Sequence, residues 1–384
     1  MIENKKIMAK TTFHNKPFDK ATKSKIEIFD AYLNEALPVF IHQKYRKEIY
    51  IYDLFAGKGL DDDGEAGTAV KILQGISQHC KSIIENNKEL YVIFNDRECK
   101  NILSQNVNDF LTNCKMTCGN ENCILDNSHL IIRDYDFREY FNKTIYPNLK
   151  KKKDTMNLIF LDPFNFIMDS DLFNKLISLQ KTDFMCFIPT TYLRRFPNEP
   201  TFKRFIDEYK LTFNQSHYKH SHRIIAKYIS NLIPNDKEYY IGHFSIEKLH
   251  KKGFGKSYYG VIFGSNSLFG AEKFQRVCWK IDPISGEADY NIDNEPTYGG
   301  NKDLFNLQPL KIDNFESELK ELVCKEQIKT DIDAYKFAIK KCCLPKHAAT
   351  VLKEMMKNKI IREFKIHNSD IHKFSNNPIN IEKL

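Results

Sequence analysis

Three apolar runs, each stopping at a polar turn, constrain this chain more than anything else in it. The first, from Ile49 to Leu54, is rich in β-branched and aromatic residues and runs into DLFAGKG, Asp53 to Gly59. A polar loop follows, and Gly67-Thr68 then opens a helix-like stretch. The second run, Leu90 to Asp96 (LYVIFND), ends in an acid. The third, Asn157 to Phe166 (NLIFLDPFNF), carries Asp162, Pro163, Phe164 and Asn165 at its carboxyl end. Short apolar runs of this type read as buried strands. In an open parallel sheet, ligands gather at the carboxyl ends of the strands, where all three polar clusters fall.

Each cluster has a chemical reading beside an ordinary one. Gly57 and Gly59 can take backbone angles closed to other residues and bring no side chain, so a ligand can approach the main chain there. Phe55 and Ala56 belong to the same turn. Asp53 can accept from a ligand amine or simply fix the turn. Asp96 is placed to hold a ribose diol, or to cap a helix beginning near Arg97. Asp162 is followed by a proline, whose backbone donates nothing and whose ring stiffens the turn, and the ordinary reading of the two is a plain turn. Phe164 then offers a face to a planar substrate.

The spacing predicts a helix over Thr22 to Phe40, with Ile26, Phe29, Leu33 and Leu37 on one side. Strands follow from Tyr50, from Tyr91, over Leu130 to Arg133, from Leu158, and over Phe184 to Pro189, with amphipathic segments between them. That alternation argues for a parallel sheet wrapped by helices. Two further β-rich pieces, Tyr239 to Ile246 and Tyr258 to Phe263, flank the loop HKKGFGKS and read as an antiparallel hairpin at the sheet edge. Asp282 to Pro309 is turn-rich and reads as a linker or extended arm. Asp331 to Cys342 and Leu344 to Phe364 are helical, with a strand-like start at Lys359 to Ile361, which together suggest a winged helix-turn-helix. The expected organisation is a polar leader over 1–20, a sheet domain over 21–290, an arm over 291–315 and a winged helix over 316–384.

At 384 residues and 42% hydrophobic, the chain has ample apolar content for a large core. No stretch approaches the roughly 18 apolar residues of a membrane span, and the first residues lack the apolar segment of a signal peptide. A cytoplasmic location is the expectation. The net charge of +8 is compatible with a polyanionic partner. Basic and aromatic residues interleave in YLRRFPNEPTFKRF (Arg194, Arg195, Lys203, Arg204), in HYKHSHR, and in HKKGFGKSYYG (Lys251, Lys252, Lys256), a pattern suited to a single-stranded nucleic acid. Of the ten cysteines, Cys114, Cys118 and Cys123 lie close together ahead of His129. Their spacing matches no common zinc ribbon, so free thiols are the preferred reading and no metal is assigned. His217, His220 and His222 can be read as metal ligands, but surface histidines of a basic helix are the preferred reading.

A parallel sheet finished by an antiparallel hairpin is the arrangement of S-adenosylmethionine-dependent methyltransferases. A nicotinamide-binding sheet competes, but the third glycine of its fingerprint is missing and Asp96 lies well beyond the expected spacing. The ordered set DLFAGKG, Gly67-Thr68-Ala69, LDPFNF and FIPTTYLRRF resembles the three-Cys-motif partner proteins, bacterial methyltransferase-like proteins of Rossmann type. KFQRVCWKIDPISGE and the terminal helices are similar to a subgroup of them. Asn165 stands where that family usually has glycine, and Lys58 where it often has proline.

The resemblance implies a doubly wound, Rossmann-like α/β sheet of class I methyltransferase type with a C-terminal winged helix. It also implies S-adenosylmethionine as cofactor and a three-Cys-motif protein as a possible partner. On this reading Asp53 meets the cofactor ammonium, Asp96 the ribose, and Asp136 (Asp134 in reserve) the adenine amine. Asp162 and Asn165 orient an acceptor amine. The layout is similar to the Asp-Pro-Pro-aromatic signature of enzymes that methylate exocyclic base amines, although its second proline is missing. The alternative is a catalytically silent sensor or scaffold that keeps the basic face.

Overall fold

The computed structural model describes residues 17–118, 123–125, 129–163, 168–191, 219–249, 255–293, 311–367, 371–374 and 376–384. Seven strands form one sheet: β1 (Glu48–Asp53), β2 (Glu89–Asn95), β3 (His129–Arg133), β4 (Thr155–Leu161), β5 (Thr182–Ile188), β6 (Tyr240–Leu249) and β7 (Lys256–Ser265). Their spatial order is β3-β2-β1-β4-β5-β7-β6. The first five run parallel, and β7 is antiparallel to both β5 and β6. The architecture is α/β with a mostly parallel sheet, compatible with a Rossmann-like fold.

β4 and β5 are buried at every residue, as expected of parallel strands covered on both faces. One face packs against α1 (Lys20–Ile41), α2 (Thr68–Gln78) and α4 (Lys100–Cys118), with α3 (Cys80–Glu85) beside them. The other face packs under α5 (Phe137–Tyr140), a π-helical turn (Phe141–Ile145), α6 (Tyr146–Lys151), α7 (Ser170–Ser178) and α8 (Ser221–Asn231). α1 starts where Asp19 accepts a hydrogen bond from Thr22 N at 2.8 Å, the usual satisfaction of an orphan helix amide. Its Phe29, Tyr32, Leu33 and Leu37 are fully or almost fully buried. The α1 face is therefore a core face, and it fixes the helix over the sheet.

β1 is flanked by β2 on one side and β4 on the other, so strand order reverses there. Register pairs Asp53 with both Phe94 and Phe160. Two residues further along each chain stand Phe55, Asp96 and Asp162, all at the same edge of the sheet. The crevice outside such a reversal is where open α/β sheets bind ligands.

β6 would be a bare edge, and chain beyond α9 (Leu268–Ile281) covers part of it. Ser245 N donates to Glu287 O at 2.7 Å and Asp289 N donates to Ser245 O at 3.1 Å, adding a short parallel bridge. Blunting an edge strand this way removes a template for unwanted pairing. This corrects the linker reading for residues 282–293: Ser285, Glu287 and Ala288 are buried.

A third core gathers around Trp279 from α10 (Lys311–Cys324), α11 (Asp331–Lys340) and α12 (Pro345–Lys357). α10 begins inside the stretch expected to be an arm. The strand-like start at Lys359 is reduced to a single antiparallel bridge, Ile361 to Lys383, and a separate bridge joins Thr330 to Asn380. Tyr335 donates to the buried Glu272 of α9, and Trp279 Nε1 donates to Cys342 O at 3.0 Å, so this unit is tied to the sheet layer. No helix among the described residues is long and apolar enough to cross a membrane.

Candidate functional site

The glycine turn after β1 is built from the backbone outward. Ala56 N donates to Asn95 O at 3.1 Å, and Gly57 N donates to Asp96 Oδ2 at 2.9 Å. Gly57 has φ +59° and Gly59 φ +82°, a left-handed conformation that strains other residues. The two differ in surroundings. A Cβ on Gly59 would come to 3.1 Å from Leu103 Cδ1, whereas one on Gly57 would meet nothing within 4 Å. Gly59 is a packing glycine, and Gly57 borders open space.

The acids around this turn do different work. Asp53 has no accessible surface; it accepts from Phe55 N at 3.2 Å and from the Thr68 hydroxyl at the start of α2. Asp53, expected to meet a ligand ammonium, is sealed under the loop here and braces the turn from below. Burial pushes its carboxyl up to about 7, and the charges of Asp162 and Asp96 push the same way. Asp96 is half-buried. Its Oδ1 accepts from Glu98 N and Cys99 N at 3.0 and 2.8 Å, so it does cap the following turn while Oδ2 holds Gly57.

Asp136 is exposed. It caps α5 through Glu139 N at 3.1 Å and stands 3.7 Å from Arg97. Asp134 pairs with Lys100 at 3.1 Å. Phe55 is half-buried, its ring centroid 5.2 Å from that of Phe137. Asn95 escaped the sequence reading. Its amide donates to Tyr135 O at 3.1 Å and accepts from Tyr135 N at 3.0 Å, which locks the β3–α5 loop to the end of β2.

At the end of β4, Lys25 of α1 donates to both oxygens of Asp162, at 2.7 and 2.6 Å. The same ammonium lies 5.3 Å from the ring centroids of Phe187 on β5 and Tyr259 on β7. The sequence offered no sign of this lysine, which sits on a helix read only for its apolar face. Pro163 is buried. Phe164 and Asn165 lie outside the described residues, as do Arg194, Arg195, Lys203, Arg204, Lys251, Lys252 and His217. Lys256 opens β7, half exposed, and pairs with Glu247 at 2.7 Å.

The cysteine cluster is spread over the end of α4, which carries Cys114 and Cys118, and a buried Cys123 beyond it. His129 stacks on Tyr91 with centroids 4.3 Å apart. A different trio has metal-like geometry among the described residues: His222, His243 and Glu287, whose ligand atoms lie within 4.8 Å of one another. His222 is buried rather than on the surface, correcting the expectation for it. Its Nε2 lies 3.0 Å from Glu287 Oε1. Arg223, however, donates to both Glu287 oxygens, and Lys311 stands 3.7 Å from Oε2. Burial opposes the charge of Glu287, yet the His222 hydrogen bond, Lys311 and Arg223 hold its carboxyl well below the usual range. Two cations already match this carboxylate, so the trio reads as an ion-paired seam. His220 pairs with Asp293 at 2.7 Å beside it.

No family model matches this chain, and no curated protein sequence matches it.

Proposed function

We propose that this chain is an S-adenosylmethionine-dependent methyltransferase acting on nucleic acid, at an exocyclic amine of a base. The observation that carries the reading is the convergence of the open Gly57 turn, Asp96 and Asp162 at the reversal of strand order. The full order, with an antiparallel β7 inserted between β5 and β6, is also the arrangement of class I methyltransferases.

The residues present suit the cofactor in one direct respect: Gly57 is left-handed, faces open space and donates to Asp96, the acid that follows β2. The Gly57–Gly59 turn would admit the methionine portion, and Asp96, with acceptor capacity left on its oxygens, would take a ribose hydroxyl. Asp136 or Asp134 would lie nearest the adenine amine, with Phe55 as the neighbouring aromatic. When bound, the cofactor supplies an electrophilic methyl group. The protein's part is to position acceptor and donor and to exclude water. Asp162 would accept a hydrogen bond from the acceptor amine, and a base in a duplex would have to be presented unpaired.

Nucleic acid as substrate draws support from the net charge of +8 and from the C-terminal unit. Its three helices and two bridges suit a winged helix. α12 exposes Lys346, Thr350, Lys353 and Lys357 at helical spacing, a basic stripe that a groove could receive. Such binding should weaken steeply with added salt.

The test is calorimetric titration with S-adenosylmethionine, with Gly57→Asp as the control. Saturable binding that the variant loses supports the reading, and a tritiated-methyl screen over DNA, RNA and protein then follows. Asp162→Ala should abolish transfer while leaving cofactor binding largely intact. No binding by folded wild-type protein rejects the proposal. One observation favours a second reading, a catalytically silent sensor or scaffold for a partner such as a three-Cys-motif protein: Lys25 engages both oxygens of the carboxylate that would do the work.

A further inference from the structure

The Lys25–Asp162 pair invites a sharper statement about the acceptor. Its side chains are 13% and 27% exposed, too open for a core ion pair and too sheltered for an ordinary surface one. The pair stands at the carboxyl end of β4, at the same edge of the sheet as the Gly57 turn and Asp96. It is flanked by the rings of Phe187 and Tyr259. A carboxylate only accepts hydrogen bonds and an ammonium only donates them. Side by side, they form an acceptor next to a donor.

Resting on the methyltransferase reading, we infer that this pair recognises the amine and adjacent ring nitrogen of adenine or cytosine. Asp162 accepts from the exocyclic N–H, and Lys25 donates to N1 of adenine or N3 of cytosine. The amine of guanine has a ring N–H on its Watson–Crick side, which the ammonium repels. Thymine and uracil offer no amine to methylate. In free adenine N1 is the more nucleophilic atom, and the Lys25 hydrogen bond occupies its lone pair, directing the methyl group to the amine. In the transfer, the amine's electron pair forms the new N–C bond and the methyl–sulfur bond breaks with its pair left on sulfur. The displaced N–H proton passes to Asp162 and on to water. Lys25 is thus a recognition residue, and its pairing with Asp162 is the resting state of the site.

The test uses the full chain, tritiated S-adenosylmethionine and mixed-sequence single-stranded oligonucleotides, with products digested to nucleosides and identified by mass. Parallel substrates carry 1-deazaadenine or 3-deazacytosine, which lack the ring acceptor. Wild type should form N6-methyladenine or N4-methylcytosine and slow by about ten- to a hundredfold on the matching deaza substrate, the range for losing a hydrogen bond to a charged group. Lys25→Met should be slowed similarly on the natural base and show no further loss on the deaza base. Lys25→Arg should recover part of the rate.

Calorimetry with S-adenosylmethionine runs alongside to confirm that each variant is folded and binds. Cofactor binding with transfer to the guanine amine overturns this inference alone, whereas cofactor binding with no transfer to nucleic acid overturns the nucleic-acid reading and this inference together. A Lys25→Met variant that keeps the wild-type rate, or one that keeps the deaza penalty, also overturns this inference alone. Absence of cofactor binding in wild type overturns the parent reading, and this inference with it.

Discussion

Replacing Asp53 by asparagine should make the protein more stable in alkali while changing little in acid. The carboxyl ordinarily ionises near 3.8 and is pushed up to about 7 by burial in the folded state. The folded protein therefore holds a proton that the unfolded chain releases across this interval. The stability that proton contributes is fully present below 3.8 and is lost as pH rises through about 7. A rise of that size corresponds to about 4 kcal/mol, of which roughly 2.5 kcal/mol falls between pH 5 and pH 8. The substituted amide keeps an oxygen for Phe55 N and can donate to the Thr68 hydroxyl, so the local hydrogen bonds survive without a titrating group. Asp183, also buried and pushed up to about 6, titrates in the same window in both proteins and cancels from the comparison. The assay is chemical denaturation of wild type and Asp53→Asn at both pH values. The variant should gain on wild type by about 2 to 3 kcal/mol from the lower pH to the higher. A difference that stays flat, or a variant that loses ground at pH 8, would refute the account of Asp53 as a sealed brace.

Gly57→Ala and Gly59→Ala should separate strain from contact. Each costs about 1 to 2 kcal/mol for a left-handed backbone, and Gly59→Ala adds a crowded Leu103, so thermal melting should rank Gly59→Ala as the less stable. If Gly57 borders the ligand, its variant should nonetheless show the larger loss in calorimetric titration with S-adenosylmethionine. Glu287→Leu leaves Lys311 without its buried carboxylate while Arg223 keeps Asp293, and removing one member of a buried pair costs up to about 3 to 5 kcal/mol. Urea denaturation should show a loss of that size, and a change under about 1 kcal/mol would mean the seam contributes little.

Much of the sheet was legible because strand identity is local. Ile49 to Leu54, Leu90 to Asp96 and Asn157 to Leu161 carry their own apolar pattern, and the order of polar ends along the chain marked the crevice. The partners of those polar ends were not legible. Lys25 and Asp162 are 137 residues apart, and nothing near either one announces the other. His222 sits among basic residues that look solvated, and it is buried because Glu287 reaches it from 65 residues away. The stretch after Ile281 has the glycines and acids of a loop, yet it pairs with Ser245 because β6 leaves its edge open. The role of Asp53 divides along the same line: its position in the turn follows from sequence, while its complete burial follows from Thr68 closing over it.

Trp279 is the one tryptophan in the chain, and its place in the third core gives the molecule an optical probe of a single location. Its indole donates to Cys342 O, lies 5.6 Å from the Lys311 ammonium, and meets the His347 ring edge-on at 4.4 Å. Burial lowers His347 to about 4, so the imidazole beside the indole is neutral at ordinary pH. Tryptophan emission should therefore be bright and blue-shifted, and should dim as acid protonates that ring. Excited selectively, it reports the joint between the sheet layer and the C-terminal helices while the nineteen tyrosines stay silent. Any ligand that loosens or tightens that joint would be seen without a label.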